Sequence, residues 1–389
     1  MQGRVVKKGW RPGQVMDRLR SRYQSLPRIA RWGITLAFVV VMFALPYLMP
    51  SLTGRSNYYV AILFRVGLAA LLAVGLNVVV GFAGLLDLGS VAFFAIGAYT
   101  YAIMTGAVSF TLAQRERLPN AVDLLPRFHL YYWLIFFVAI AICLAAGVLL
   151  GTPTLRLRGD YLAIVTLGFG EIVRIVANNL RDITGGPLGV KSIPHPAINI
   201  GSLQYDFGIN NNPYYWLTLV LVAIAVLIVT RLNASRIGRA WSAIREDEGA
   251  AAAMGVATVR MKLLAFATGA AIASTAGVIY ASQVIYVSPR TFALLDPTFG
   301  SIIVLAMVVL GGMGGIRGPI VGAAAMVFLP EYFRFLGDGR FVVFGAALVL
   351  IMIFRPAGIL PSRRRAAELT GGDIREATLF DVQQEEVPS

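Results

Sequence analysis

The stretch YYWLTLVLVAIAVLIVT, residues 214–230, has no charged side chain over nearly the length that a helix needs to cross a bilayer. The run WGITLAFVVVMFALPYLMP at 32–50 has the same character. Across its 389 residues the chain is 57% hydrophobic and only 14% charged, whereas about a quarter of the residues of a soluble domain are charged. The sequence therefore predicts an all-α, polytopic membrane protein.

Ten segments are apolar enough to be transmembrane or partly re-entrant helices. They are 32–50, 59–81, 84–106, 131–151, 160–179, 214–231, 262–284, 298–313, 317–336 and 340–355. Arg and Lys concentrate at the exits that are cytoplasmic if both termini lie inside the cell, as the positive-inside rule requires. We therefore expect a plasma (inner) membrane protein with a basic cytoplasmic arm over 1–31, a transmembrane domain over 32–361 and a cytoplasmic tail over 362–389. Within the domain, 180–213 is expected to be extracytoplasmic and 232–261 cytoplasmic.

The net charge of +14 does not indicate nucleic-acid binding, because much of it is concentrated in one place. The arm 1–31 carries nine basic residues and one acidic residue directly before the first apolar run. Anionic lipid headgroups are a sufficient partner for such an arm. The one cysteine, Cys143, excludes an internal disulfide, and neither His129 nor His195 has a metal-ligand partner at a recognisable spacing. We expect neither a cofactor nor a metal.

Two stretches in opposite halves of the chain resemble each other, VVVGFAGLLDLGSVAFFAIGA at 78–98 and VVLGGMGGIRGPIVGAAA at 308–325. Glycine-interrupted apolar segments in corresponding halves indicate repeats with broken helices near a transport path. The small residues equally suit close helix packing, and the sequence leaves open whether the repeat is inverted. The candidate path residues in these stretches are Gly81, Gly84, Asp87, Gly312 and Gly315.

Ionisable residues also lie within the apolar segments. Glu171 and Arg174 stand three residues apart in 160–179, so they share a helix face. Charges inside a membrane are costly, and they usually pair or line a water-filled cavity. We expect an ion pair that either fixes this helix to a neighbour or lines and gates a path. Asp87 and Arg65 lie in successive segments and could pair across helices.

Motifs for nucleotide hydrolysis and for common hydrolase sites are absent from the sequence. The chain contains no G-x-x-x-x-G-K-[ST] phosphate loop, no H-E-x-x-H and no G-x-S-x-G. We therefore do not expect an enzyme, and ATP that drives transport would have to be hydrolysed by a separate chain.

The segment GRAWSAIREDEGAAAAMGV, residues 238–256, holds five charges between two long apolar runs. Its composition from Ala240 to Met254 favours a helix that stops at Gly255. Projected onto one helix, its apolar residues form only a weak face, which disfavours a helix lying in the lipid surface. The pattern fits a short helix that inserts into a socket on another protein, or a solvated loop.

This segment resembles the cytoplasmic loop of the permease subunits of ABC importers for branched-chain amino acids, in particular the LivM-like subunits. Further stretches resemble the same family in the same order: GLNVVVGFAGLLDLGSVAFFAIGAY (75–99), LRGDYLAIVTLGFGEIVRIVANN (157–179) with TGGPLGV (184–190), VLAMVVLGGMGGIRGPIVGA (304–323) and IFRPAGILPSR (353–363). The resemblance covers about residues 58–363. It leaves out the basic arm, the acidic tail and much of 107–130.

The resemblance implies a half-pore that pairs with a second, LivH-like permease. Two cytoplasmic ATPases would power it, and an extracytoplasmic amino-acid binding protein would deliver the cargo. In that family a short cytoplasmic helix docks on the ATPase, which places Arg239, Arg245, Glu246, Asp247 and Gly255 at or beside the docking site. The two glycine-rich turns, 81–90 and 311–318, would then lie near the pore axis.

The expected function is thus the permease subunit of an ATP-driven importer of branched-chain or other apolar amino acids. The same architecture could carry urea or short amides. A different class, a secondary transporter or channel that acts alone with Glu171 as its ion site, would show gradient-driven flux without an ATPase.

Overall fold

The structure is a computed structural model that describes residues 41–47, 56–105, 131–154, 159–191, 193–200, 203–337, 339–354 and 358–360. The chain divides into two units, Met1–Tyr59 and Val60–Ser389. In the first unit, residues 41–47 form a helix within the predicted segment 32–50. The predicted basic arm 1–31 and tail 362–389 lie outside the described residues, as does 107–130.

The described residues are mostly helical, which confirms the predicted fold class. The helices are α1 (Ser56–Asn77), α2 (Ser90–Met104), α3 (Tyr131–Thr154), α4 (Asp160–Asn179), α5 (Arg181–Thr184), α6 (Asn211–Ala234), α7 (Arg236–Glu246), α8 (Glu248–Ala253), α9 (Thr258–Val284), α10 (Ser301–Gly311), α11 (Arg317–Tyr332) and α12 (Gly339–Phe354). Within the described ranges, four helical stretches have the length and apolarity to cross a bilayer: Asn57–Phe82, Tyr132–Thr152, Asn211–Ala234 and Thr258–Val284. Two further apolar helices, α2 and α10, are shorter.

Each predicted segment from 59–81 onward coincides with a helix, but the boundaries next to glycines differ. The segment predicted at 84–106 becomes helical only at Ser90, and the one predicted at 298–313 is helical from Ser301 to Gly311. Apolar composition alone does not mark these ends, because glycine counts as apolar yet breaks the helix. The segment predicted at 160–179 matches α4 at both ends.

Short strands connect the loops at one end of the helices. Strand β1 (Val190–Lys191) pairs antiparallel with β4 (Tyr286–Val287), with Val190 opposite Val287. Strands β2 (Ala197–Ile200) and β3 (Leu203–Asp206) form an antiparallel hairpin. The loop predicted over 180–213 is therefore folded where the structure describes it, and its first part is tied to the chain that follows α9.

The core is a close pairing of α2 with α9, and α3 packs against both. Glycines make this approach possible, because a Cβ at Gly97 would lie 2.5 Å from the Ser274 carbonyl oxygen. A Cβ at Gly277 would lie 2.2 Å from the Phe94 carbonyl oxygen. Small residues commonly allow such backbone-to-backbone contact between membrane helices. Helices α2 and α9 therefore pack closely, and the first of two glycine-rich turns directly precedes α2.

Candidate functional site

The first glycine-rich turn interrupts what would otherwise be one long apolar helix. Helix α1 passes into a buried π-helical turn, Val78–Phe82, and the chain then runs without helix from 83 to 89 before α2 begins. Gly84 has φ +72°, which a residue with a side chain rarely adopts. π-helical turns are frequent at functional sites because they leave part of the backbone ladder irregular.

The second glycine-rich turn has the same construction. Helix α10 ends at Gly311, the chain turns through Gly312 (φ +107°) and Gly314 (φ +77°), and α11 begins at Arg317. The chain returns after α12 to complete this end, because the Ile359 and Leu360 amides donate to the Leu310 and Gly311 carbonyls at 2.8 and 2.9 Å. Both stretches that resemble each other in sequence thus form a broken helix, as predicted.

Asn77 joins the two turns. Its side-chain Nδ2 donates to the Gly315 carbonyl at 3.0 Å, and its Oδ1 accepts from the Gly314 amide at 3.1 Å. The residue is 1% exposed. The backbones are also close, because a Cβ at Gly81 would lie 2.8 Å from the Gly314 nitrogen. Sequence reasoning did not single out Asn77, although an amide directly before a glycine cluster in an apolar run was the available signal.

The segment 238–256 forms parts of two helices rather than the single helix predicted over 240–254. Helix α7 ends at Glu246, and Asp247 has extended backbone (φ −154°, ψ 112°). The Asp247 carboxylate caps α8 by accepting from the Ala250 amide at 2.9 Å. An aspartate is a strong N-cap, so a new helix begins here instead of the old one continuing. Gly255, with φ +85°, follows α8 at the predicted stop.

Helix α7 is strongly amphipathic, so the weak face predicted for the whole segment is wrong for this part. Trp241 and Ile244 are buried, and Trp241 Nε1 donates to the Met261 carbonyl at 2.8 Å. In α8, Glu248 pairs with the buried Lys262 at 2.5 Å between Oε1 and Nζ. The prediction placed residues of both α7 and α8 on a single helix axis, so the apolar face of α7 was not recognised. The segment is therefore packed firmly against the start of α9.

The five predicted docking residues divide into two groups. Arg239, Glu246, Asp247 and Gly255 are exposed. Arg245 instead points inward, and its Nη1 donates to the Gly81 carbonyl at 2.7 Å. A Cβ at Gly84 would lie 2.6 Å from Arg245 Cγ, so the side chain lies against the first turn.

The chain matches the sequence profile of the family described as "Branched-chain amino acid transport system / permease component" over residues 58–354. The chain belongs to this permease family. The permease is 38% identical to "High-affinity branched-chain amino acid transport system permease protein LivM" of Escherichia coli (strain K12), over 86% of this chain and 77% of the relative. It is 36% identical to the LivM of Salmonella typhimurium, over 87% of this chain and 78% of the relative.

A second kind of relative matches a shorter part of the permease. The "High-affinity branched-chain amino acid transport system permease protein LivH" of Salmonella typhimurium is 31% identical over 152 residues, which is 37% of this chain and 46% of the relative. No solved structure matches the chain at a significant level.

Asp87 of the permease is held by its own turn rather than by Arg65. It is 3% exposed, and its Oδ1 accepts from the Gly89 amide at 2.8 Å. Arg65 is exposed and forms no ion pair with it. Arg65 precedes Asn77 by twelve residues, about 18 Å of helix, so the pairing with Asp87 that the sequence left possible is not formed. The turn is tied instead to α4, because the Leu88 amide donates to Thr166 Oγ1 at 3.0 Å.

The predicted ion pair on α4 is confirmed. Arg174 Nε donates to Glu171 Oε1 at 2.7 Å, and a second donor of the same guanidinium contacts the same oxygen. The two side chains are 28% and 37% exposed. Exposed isoleucines flank them at 164, 172 and 175. Within the described part of the chain the pair joins only its own helix, so it does not fix α4 to a neighbour through a salt bridge.

The permease shows no metal site among the residues that the structure describes. His195 Nδ1 lies 2.7 Å from Tyr214 Oη and 3.1 Å from the Ser282 carbonyl oxygen. Tyr214 Oη donates to the same carbonyl at 3.0 Å. This histidine therefore joins the loop before β2 to α6 and α9.

Proposed function

We propose that this chain is a transmembrane subunit of an ATP-driven ABC importer that moves branched-chain or other apolar amino acids into the cell. The observation that carries the proposal is the match to the permease family over 58–354, with LivM proteins similar over most of their length. The chain would form half of the pore, and ATP would be hydrolysed on separate subunits.

The partners of this proposal are a second, LivH-like permease, two cytoplasmic ATPases and an extracytoplasmic binding protein for amino acids. Similarity to LivH as well as LivM supports the pairing of two related permeases. The arm 1–31, with nine basic residues, would contact anionic lipids at the cytoplasmic surface. Both termini, the loop 232–261 and the tail 362–389 would be cytoplasmic, and 180–213 extracytoplasmic.

The docking surface for the ATPase would be the exposed outer side of α7 and α8. Arg239, Glu246 and Asp247 offer charges of both signs there, and Gly255 ends the segment. Charged groups in such a surface can form short, strong hydrogen bonds with a partner. Trp241 holds the segment on the membrane domain, so force applied at this surface would reach the transmembrane helices.

The translocation path would run beside the two glycine-rich turns and the outer face of α4. Backbone groups at Gly81, Gly84, Gly312 and Gly315, together with Asp87, would line or shape it. On α4, Glu171 and Arg174 lie partly exposed on an otherwise apolar face. Charges facing lipid are strongly disfavoured, which supports placing this face against the path and the second permease.

The test is reconstitution of this chain with its second permease, the ATPases and the binding protein in proteoliposomes. We expect uptake of radiolabelled leucine that requires internal ATP, and competition by other apolar amino acids but not by urea. Replacing Glu246 and Asp247 by lysine should abolish uptake and ATPase co-purification while the chain still inserts. The matched control is Arg260→Glu, a charge reversal at another exposed residue of the same side. Gradient-driven flux by the chain alone would contradict the proposal.

A further inference from the structure

We infer that Arg245 and Asn77 form a polar relay that transmits movement of the cytoplasmic helix α7 to both glycine-rich turns at once. The inference rests on the proposed function, in which an ATPase moves α7. It assigns Arg245 to transmission inside the permease and removes it from the docking surface. Both residues act as positioning residues, because neither is argued to touch the cargo.

The first link of the relay is the contact between Arg245 and Gly81. A guanidinium nitrogen donates to the Gly81 carbonyl at 2.7 Å, which is the short distance expected of a charge-assisted hydrogen bond. Gly81 lies in the π-helical turn one residue before its end. Carbonyls in the last turn of a helix have no partner further along that helix, so this one is available to a side chain from another element.

Contact as well as hydrogen bonding joins α7 to the first turn. Gly84 lies so close to the aliphatic part of Arg245 that a Cβ there would be 2.6 Å from Cγ and 3.2 Å from Cα. If α7 moves toward the turn, Arg245 therefore pushes on the backbone of the turn at Gly84. If α7 moves away, the hydrogen bond from Arg245 pulls on the Gly81 carbonyl. The link can transmit displacement in both directions.

The second link is the amide of Asn77. Its two polar atoms bind the Gly314 amide and the Gly315 carbonyl of the second turn. Asn77 is also the last residue of α1, immediately before the π-helical turn that holds Gly81. A shift of this turn therefore moves Asn77, and Asn77 moves a turn that is 237 positions away in the sequence.

The segment that drives the relay is stiff. Trp241 is fully buried and bound to the Met261 carbonyl, and Lys262 anchors α8 through Glu248. These contacts make α7 and α8 move as a body with the start of α9. Small shifts of packed elements are passed on in this way because close-packed interiors do not deform continuously. The two broken helices would consequently change together rather than one after the other.

The experiment measures ATP hydrolysed and amino acid taken up in proteoliposomes that hold the complete importer. Arg245→Gln should leave ATP hydrolysis within twofold of wild type and lower uptake at least tenfold. Arg245→Lys, which keeps a charged donor, should recover part of the uptake. The control Arg260→Gln changes an exposed arginine nearby, and both of its rates should match wild type. Coupled uptake by Arg245→Gln at the wild-type ratio would overturn the relay while leaving the proposed function intact; wild-type complexes without ATP-driven uptake would refute the proposed function.

A double-mutant comparison tests whether the two residues act in one chain of contacts. Asn77→Leu should also uncouple hydrolysis from uptake. Combined with Arg245→Gln it should be no worse than the more severe single variant, because breaking either link already interrupts the relay. Effects that multiply would mean that the two residues act independently, and the relay would be rejected.

Hydrogen–deuterium exchange on the purified full chain tests the relay even where a variant does not assemble with the other subunits of the importer. In Arg245→Gln, amides of 310–318 should exchange at least fivefold faster, although the hydrogen bond of Arg245 goes to Gly81 and not to that turn. The same amides should keep the wild-type rate in Gln283→Leu, which removes a partly buried amide hydrogen bond to Asn211 elsewhere. Unchanged exchange of 310–318 in Arg245→Gln would contradict transmission through Asn77.

Discussion

Replacing Gly277 by alanine tests whether α2 and α9 depend on a missing side chain for their close approach. The added Cβ would lie 2.2 Å from the Phe94 carbonyl oxygen and 2.8 Å from the Ala98 nitrogen. Favourable contacts between heavy atoms are about 3.5–4.0 Å long. Both obstructing atoms belong to the backbone of α2, so no change of rotamer relieves the overlap. The two helices would have to separate locally by about 1 Å.

The size of the effect follows from two opposing contributions. Overpacking a close-packed interior costs about 1–3 kcal/mol, while alanine in place of glycine gains about 1 kcal/mol of helix propensity. Since rigid backbone provides the obstruction, we expect the upper part of the first range. The free energy of unfolding should therefore fall by about 2 kcal/mol.

The assay is thermal unfolding of the purified full chain in detergent, followed by tryptophan fluorescence. Two glycines provide a graded comparison. A Cβ at Gly147 would lie 3.2 Å from the Ala270 Cβ, and a Cβ at Gly345 would meet nothing within 4 Å. We expect Gly345→Ala to match or exceed wild type, Gly147→Ala to fall between, and Gly277→Ala to be the least stable. Equal midpoints for the Gly277 and Gly345 variants would refute the packing argument.

Further predictions concern helices α7, α8 and α4. Asp247→Ala should destabilise α8 by about 1 kcal/mol through loss of its cap, while Asp247→Asn keeps the cap and should show normal exchange of the α8 amides. Trp241→Phe should cost about 0.5–1.5 kcal/mol because the indole hydrogen bond to the Met261 carbonyl is lost, and differential scanning fluorimetry would detect it. Glu171→Gln removes the charged partner of Arg174 and should abolish uptake. A double variant that exchanges the two residues should restore uptake. A double variant that stays inactive would indicate a direct role for the carboxylate at position 171. Gly168 meets nothing within 4 Å, so Gly168→Leu should leave the isolated chain unchanged yet block co-purification of the second permease, and unaltered pairing would remove α4 from that interface.

The sequence was sufficient for the helices and for the interruptions in them. Apolar runs indicated where most helices lie, and paired glycine clusters predicted two broken helices, because glycine destabilises a helix wherever it occurs. The ion pair between Glu171 and Arg174 followed from their spacing alone. Each of these features depends on residues close together in the sequence, so it can be predicted from composition and spacing.

The contacts that join the two turns could not be predicted in the same way. Asn77 meets its partners across 237 positions, and a lone amide in an apolar run carries no spacing that points to them. The family resemblance placed Arg245 at the docking site together with Arg239 and Glu246, whereas its guanidinium turns inward to the Gly81 carbonyl. The break at Asp247 was within reach, since an aspartate before Glu-Gly-Ala is a recognisable N-cap.

The hydrogen bonds from Ile359 and Leu360 to the end of α10 have a consequence for the order of assembly. Helix α10 has 11 residues and is about 16 Å long, which is too short to cross a bilayer. Among the residues that the structure describes, the donors to those two carbonyls from outside α10 are Ile359 and Leu360, which are synthesised after α11 and α12. During biosynthesis the second broken helix is therefore completed last, after most of the membrane domain has been made. A nascent chain that ends before 358 would lack both of these hydrogen bonds at the end of α10.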